Sequence, residues 1–122
     1  MNPASPAAFA LVMLGGALGS ALRYGAGLAS LAWFGAAYPW STLAVNIAGS
    51  ALIGVAAGAG VEGGARLLIV TGFLGGFTTF SAFSLETATL WQRSPWLAGA
   101  YVAASVALGL AAFWLARRLV AG

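Results

Sequence analysis

The sequence predicts an all-α membrane protein of four transmembrane helices, the third of them broken. Three observations carry this. Hydrophobic residues make up 61% of the chain and charged residues 6%, and a soluble domain of that composition would lack the polar surface to cover itself. All four prolines, Pro3, Pro6, Pro39 and Pro95, stand where a helix can begin. In a first turn the missing N–H has no intrahelical partner to lose. The third observation is the stretch from Gly72 to Ser84, GFLGGFTTFSAFS, with three glycines in five residues and then two threonines inside otherwise ordinary spanning sequence. Glycine adopts backbone angles other residues avoid, and Ser and Thr offer the backbone competing hydrogen bonds. In hydrocarbon, non-helical backbone survives only where protein or a wet cavity satisfies it. The break therefore belongs near the bilayer midplane, where an ion would be handled.

A chain of 122 residues has room for one transmembrane domain, 1–122. With Gly63-Gly64, the prolines divide it into segments of about 7–34, 40–60, 65–91 with the break near 75–79, and 96–119. Each reaches the ~20 residues a span requires, and the short connections favour antiparallel neighbours. Trp33, Phe34, Tyr38 and Trp40 flank the first connection, and Trp91 and Trp96 the third. With four spans these loops share a face, so their aromatics form one interfacial belt, with Trp114 at the opposite interface. The face with both termini carries Arg66, Arg117 and Arg118, against Arg93 and a snorkelling Arg23 on the other. So weak a positive-inside bias allows insertion both ways round. Met1 to Pro6 has no positive n-region, and the apolar run after it is long, so a cleaved signal peptide is not expected.

Composition also excludes chemistry. Cysteine and histidine are absent, which removes disulfides, thiolate metal sites and the commonest general base. The five arginines, against Glu62 and Glu86, form no patch dense enough for nucleic acid.

In the first segment, Gly15 and Gly19 have the GxxxG spacing, as do Gly54 and Gly58 in the second. Such pairs let helix backbones approach closely in lipid. Arg23 either snorkels to the nearby interface or lines an anion-attracting vestibule. Asn46, in WSTLAVNIAGS, needs partners for its amide and so faces another helix or a pore. Gly49 and Ser50 put a small, partly polar patch one turn on. In the third segment, Phe80 and Phe83 share a helix face, Ser81 and Ser84 repeat the spacing one position later, and Glu86 is the only embedded carboxylate. In the fourth, Tyr101, Ser105 and Gly109 recur every four residues on one face.

Aromatic rings have a positive edge, and Asn, Ser and Tyr donate hydrogen bonds. A set of Asn46, Phe80, Phe83, Tyr101 and Ser105 therefore suits a small, strongly hydrated anion held at several modest sites. Unwound carbonyls from Gly75 to Thr79 suit a structural Na⁺ beside it. Four short helices are too few to enclose a gated path. A homodimer is the least that would, and oppositely inserted copies would form an inverted repeat.

These residues resemble the fluoride channel family, the Fluc or CrcB fluoride exporters. The resemblance runs over nearly the whole chain: GGALGSALRY, WSTLAVNIAGS, GFLGGFTTFSAFSLE and the Tyr101/Ser105 spacing. It implies an antiparallel, dual-topology homodimer in the cell (inner) membrane, with two pores that pass fluoride passively, exclude chloride and keep cytoplasmic fluoride low. It implies a central Na⁺ on backbone carbonyls of Gly75 and Thr78. It also implies pore phenylalanines at Phe80 and Phe83, a pore asparagine at Asn46, and a polar track through Tyr101, Ser105 and Glu86, with Ser81 beside it. Ala82 and Gly109 lack hydroxyls common in that family, so the track is shorter here. Two alternatives remain at the level of sequence. A small multidrug-resistance transporter has similar size but relies on a glutamate in its first helix, where this chain has Arg23. A non-transporting packing subunit would give no flux alone. An enzyme is not expected, since Glu86 has no second acid nearby in sequence.

Overall fold

The computed structural model describes all 122 residues, Met1–Gly122. It is all-helical, with four helices long and apolar enough to span a membrane: Pro6–Phe34, Trp40–Gly58, Gly63–Arg93 and Pro95–Ala121. The first two are α1 and α2. The third span runs in pieces: α3 (Gly63–Arg66), a π-helical stretch (Leu67–Leu74), α4 (Gly75–Phe77) and α5 (Phe80–Arg93). The last span, Pro95–Ala121, is α6.

Local chemistry sets the boundaries. Ser5 caps α1 by accepting from the Ala8 N–H, with Pro6 at the first helical position. Ser94 does the same for α6, accepting from Leu97 N–H ahead of Pro95. The second span ends at Gly58 rather than at residue 60 as the sequence suggested. Gly60 takes left-handed backbone, φ +67°. Its N–H and that of Val61 turn back to the Ala57 and Ala56 carbonyls, a Schellman closure that satisfies the helix end and stops it.

The sequence also placed the break too broadly, at 75–79. Gly75–Phe77 is helical, and only Thr78 (φ −87°, ψ 156°) and Thr79 (φ −150°, ψ 121°) are extended. The glycines lie before these two residues, and Gly72 and Gly76 serve another purpose, packing. An added Cβ on Gly15 would meet the Leu68 carbonyl and the Phe73 amide, and one on Gly19 the Phe73 carbonyl and the Phe77 amide. Gly72 and Gly76 are equally close to α1 backbone, at Val12 and Gly16. The small face of α1 thus lies directly on the first half of the third span. Gly54 and Gly58 sit the same way against the α6 backbone at Phe113 and Arg117.

The third span consequently changes neighbours at the extended pair. Its first half lies on α1, and α5 lies on α6. One apolar cluster forms on each side: Val45, Leu74 and Phe77 before the break, and Leu90, Ala98 and Tyr101 after it. Only 16 of 122 residues are buried, so most apolar side chains face outward, as the hydrocarbon of a bilayer allows.

Candidate functional site

The extended pair faces α2, and Asn46 is the residue that meets it. Its Nδ2 donates to the Thr79 carbonyl at 3.0 Å, and its Oδ1 accepts from the Thr79 N–H at 2.9 Å. The two backbone groups dictate which end of the amide faces which. One Nδ2 hydrogen remains for another acceptor. Thr79 also caps α5, its Oγ1 accepting from Ala82 N–H at 3.1 Å. Thr78 Oγ1 donates back to the Leu74 carbonyl at 2.9 Å, and its methyl group rests over Gly49, where a Cβ would overlap it.

The diverted amides leave two carbonyls behind. In a continuous helix, Thr79 N–H would donate to Gly75 O and Ala82 N–H to Thr78 O. Both donors are taken by side chains. The neighbouring carbonyls are occupied instead: Gly76 O accepts from Arg23 Nε at 3.1 Å, and Thr79 O from Asn46. The sequence treats the carbonyls from Gly75 to Thr79 as uniformly exposed; in the structure those of Gly76 and Thr79 are occupied, and those of Gly75 and Thr78 lack their helical donors.

Beside the break lies a cavity of about 420 Å³. Asn46, Phe80, Phe83 and Ser105 line it together with Gly75, Thr78 and Thr79, and no ionisable side chain does. Ser105 Oγ is buried with no hydrogen-bond partner, and an unmet buried hydroxyl costs about 1–3 kcal/mol. Phe80 is 78% exposed in the single chain, so the cavity is open on its side. Ser81 is not part of this lining; it is exposed, 3.3 Å from Thr79 Oγ1.

A second cavity, about 450 Å³, lies toward the first loop and contains Arg23, Glu86 and Arg93. Thr79 lines both cavities. Arg23 is half-buried and tethered to Gly76 O while lining this second space. Arg93 donates to the Ala37 carbonyl and pins the first loop to the end of α5. Glu86 accepts from Thr42 Oγ1 and from the Tyr101 hydroxyl, each at 2.9 Å. Rings connect the two spaces. Phe80 and Phe83 are 5.6 Å apart, Phe83 and Tyr101 5.3 Å, and Tyr101 and Tyr38 5.7 Å in an edge-to-face pair. Burial pushes the Tyr38 phenol's pKa above its ordinary value, keeping it neutral.

Sequence reasoning missed Thr42, and it reached Tyr38 only as an interfacial aromatic and Thr79 only as a backbone carbonyl. Thr42 stands four residues before Asn46, on the same helix face, a signal that was there to be read. By sequence position Tyr38 belongs to the interfacial belt, and only the folded loop shows its ring against Tyr101. Gly49 also has a sharper role than a small patch. Gly49→Ala is expected to force Thr78 off its seat and cost about 1–3 kcal/mol as an overpacked core does. A fall in denaturation temperature in detergent checks it.

Residues 10–117 match the family described as CrcB-like protein, Camphor Resistance (CrcB). A protein of Rhizobium etli named fluoride-specific ion channel FluC is 54% identical over 110 residues, covering 84% of this chain and 86% of its own length. Proteins of the same name from Hyphomonas neptunium and Novosphingobium aromaticivorans are 48% identical over 124 residues and 46% over 122. The first alignment covers 93% of this chain and 98% of the relative, and the second 94% and 97%.

Proposed function

The chain belongs to the CrcB-like family, and from that membership we propose that it is a fluoride-selective channel passing fluoride passively across the membrane. The observation that carries this in the chain itself is Ser105 Oγ, buried without a partner in a cavity that no charged side chain lines. A hydroxyl in that position has a hydrogen to donate, and Asn46, with one N–H beyond its bond to Thr79, lines the same cavity. Neutral donors can replace part of an anion's hydration shell without binding so tightly that the ion cannot leave. Arg23 and Arg93 line the neighbouring cavity and would raise the local concentration of anions there. Glu86 lines the same cavity, its oxygens accepting from the Thr42 and Tyr101 hydroxyls, so two guanidinium groups face one carboxyl group there.

The working unit is an antiparallel, dual-topology homodimer in the inner membrane. The cavity's open side at Phe80 and the weak arginine asymmetry both support this reading. The carbonyls of Gly75 and Thr78 fit a structural Na⁺: they are neutral oxygens without their helical donors, next to neighbours already occupied. Gly75 is exposed in the single chain, in keeping with a cation shared between copies. A bound Na⁺ would tie the copies together and offset carbonyl dipoles beside an anion path.

Liposomes containing the purified chain are expected to release fluoride, and to retain chloride, when an ionophore balances charge. Equal chloride release would overturn the selectivity.

A further inference from the structure

Asn46 lines the cavity, and the same amide is spent on the backbone of the break. Its two bonds to Thr79 replace the helical bond that Thr79 N–H would give Gly75 O. Remove the side chain, and Thr79 N–H has no partner in a site where an unmet amide is costly. The nearest remedy is for the helix to close toward Gly75 O. That closure withdraws one of the two free carbonyls. Thr79 Oγ1 does the parallel work for Thr78 O by holding Ala82 N–H.

We propose that Asn46 and Thr79 are positioning residues for the cation site: their side chains keep the Gly75 and Thr78 carbonyls free by holding the amides that would otherwise claim them. This rests on the Na⁺ reading above and extends it. The anion cavity and the cation site then share one side chain, so a change at Asn46 acts on both. Phe83 and Ser105, which line the cavity without bonding to the break, act on the anion path alone.

The test reads Na⁺ rather than flux. Purified protein in detergent is heated across a NaCl series held at constant ionic strength with N-methylglucamine chloride, and the Na⁺ concentration giving half the maximal stabilisation is recorded. For Asn46→Ala that concentration is expected to rise about tenfold, since a re-formed amide–carbonyl bond worth about 1.4 kcal/mol must be broken to bind. Phe83→Ile and Ser105→Ala are expected to match the wild type. A wild-type Na⁺ response in Asn46→Ala overturns the inference while leaving the Na⁺ site standing. Absence of any Na⁺ response in the wild type overturns the Na⁺ reading and this inference with it. Should Asn46→Ala fail to fold, Thr79→Val removes the Ala82 cap with little change of volume. The same tenfold rise is expected there, and a wild-type response overturns the proposal.

Discussion

Gly19→Ala is expected to destabilise the protein by about 2 kcal/mol or more, although alanine is the better helix former by about 1 kcal/mol. The sign is decided by what the new methyl meets. At Gly19 it meets the Phe73 carbonyl and the Phe77 amide. Both are backbone atoms of the third span, which cannot rotate away as a side chain would. Relief requires α1 to separate from that span, and the separation spreads to Gly15, Gly72 and Gly76, which share the contact. It would also pull Arg23 from Gly76 O. Gly99 supplies the control, because an added Cβ there meets nothing within 4 Å. Gly99→Ala is expected to be neutral, or stabilising by up to about 1 kcal/mol. Thermal denaturation in detergent and the yield of monodisperse protein separate the two. Equal stability of both variants would mean that α1 and the third span are not in backbone contact.

Phe80→Ile and Phe83→Ile are each expected to slow fluoride flux by about fivefold, with the protein still folded. The reasoning is one of residue chemistry at nearly constant apolar character. Isoleucine fills a similar apolar volume but has no ring, so it lacks the positive edge through which an aromatic attracts an anion, an effect of about 1 kcal/mol per ring. Phe83 is expected to matter more for the protein's architecture as well, since its ring contacts both Phe80 and Tyr101. Phe80 is largely exposed in the single chain, so its loss should leave the fold untouched. Fluoride efflux from liposomes, alongside size-exclusion chromatography, measures both quantities. Wild-type flux in both variants would reduce the rings to packing.

Residue type alone brought several of these side chains under suspicion. An amide, a hydroxyl and an interleaved aromatic pair are conspicuous in a chain built mostly of Ala, Leu, Val and Gly. The structure brings Asn46, Phe80, Phe83 and Ser105 to one cavity. Glu86 and Arg23 go to another, and Ser81 goes to the outer surface. Periodicity could not make that division. Phe83 and Glu86 are three residues apart on one helix, yet they line different spaces, because α6 inserts Tyr101 beside both. Thr42 shows the converse. Its position relative to Asn46 was readable, but its partner, Glu86, is 44 residues away.

By itself the sequence determined what short-range physics and composition control. These are four apolar spans, the starts of three of them at proline, the family to which the chain belongs, and the region where the third span departs from a plain helix. Tertiary structure alone decided how that region divides its labour. The glycines of the stretch are helical, Gly72 and Gly76 in close contact with α1, while the two threonines are the extended residues. Which carbonyls are free was likewise undecidable in sequence. A backbone amide gives its hydrogen to the best acceptor within reach, and for Thr79 that acceptor is supplied by Asn46 on another helix. Only the packing of α1 and α2 around the third span brings it there.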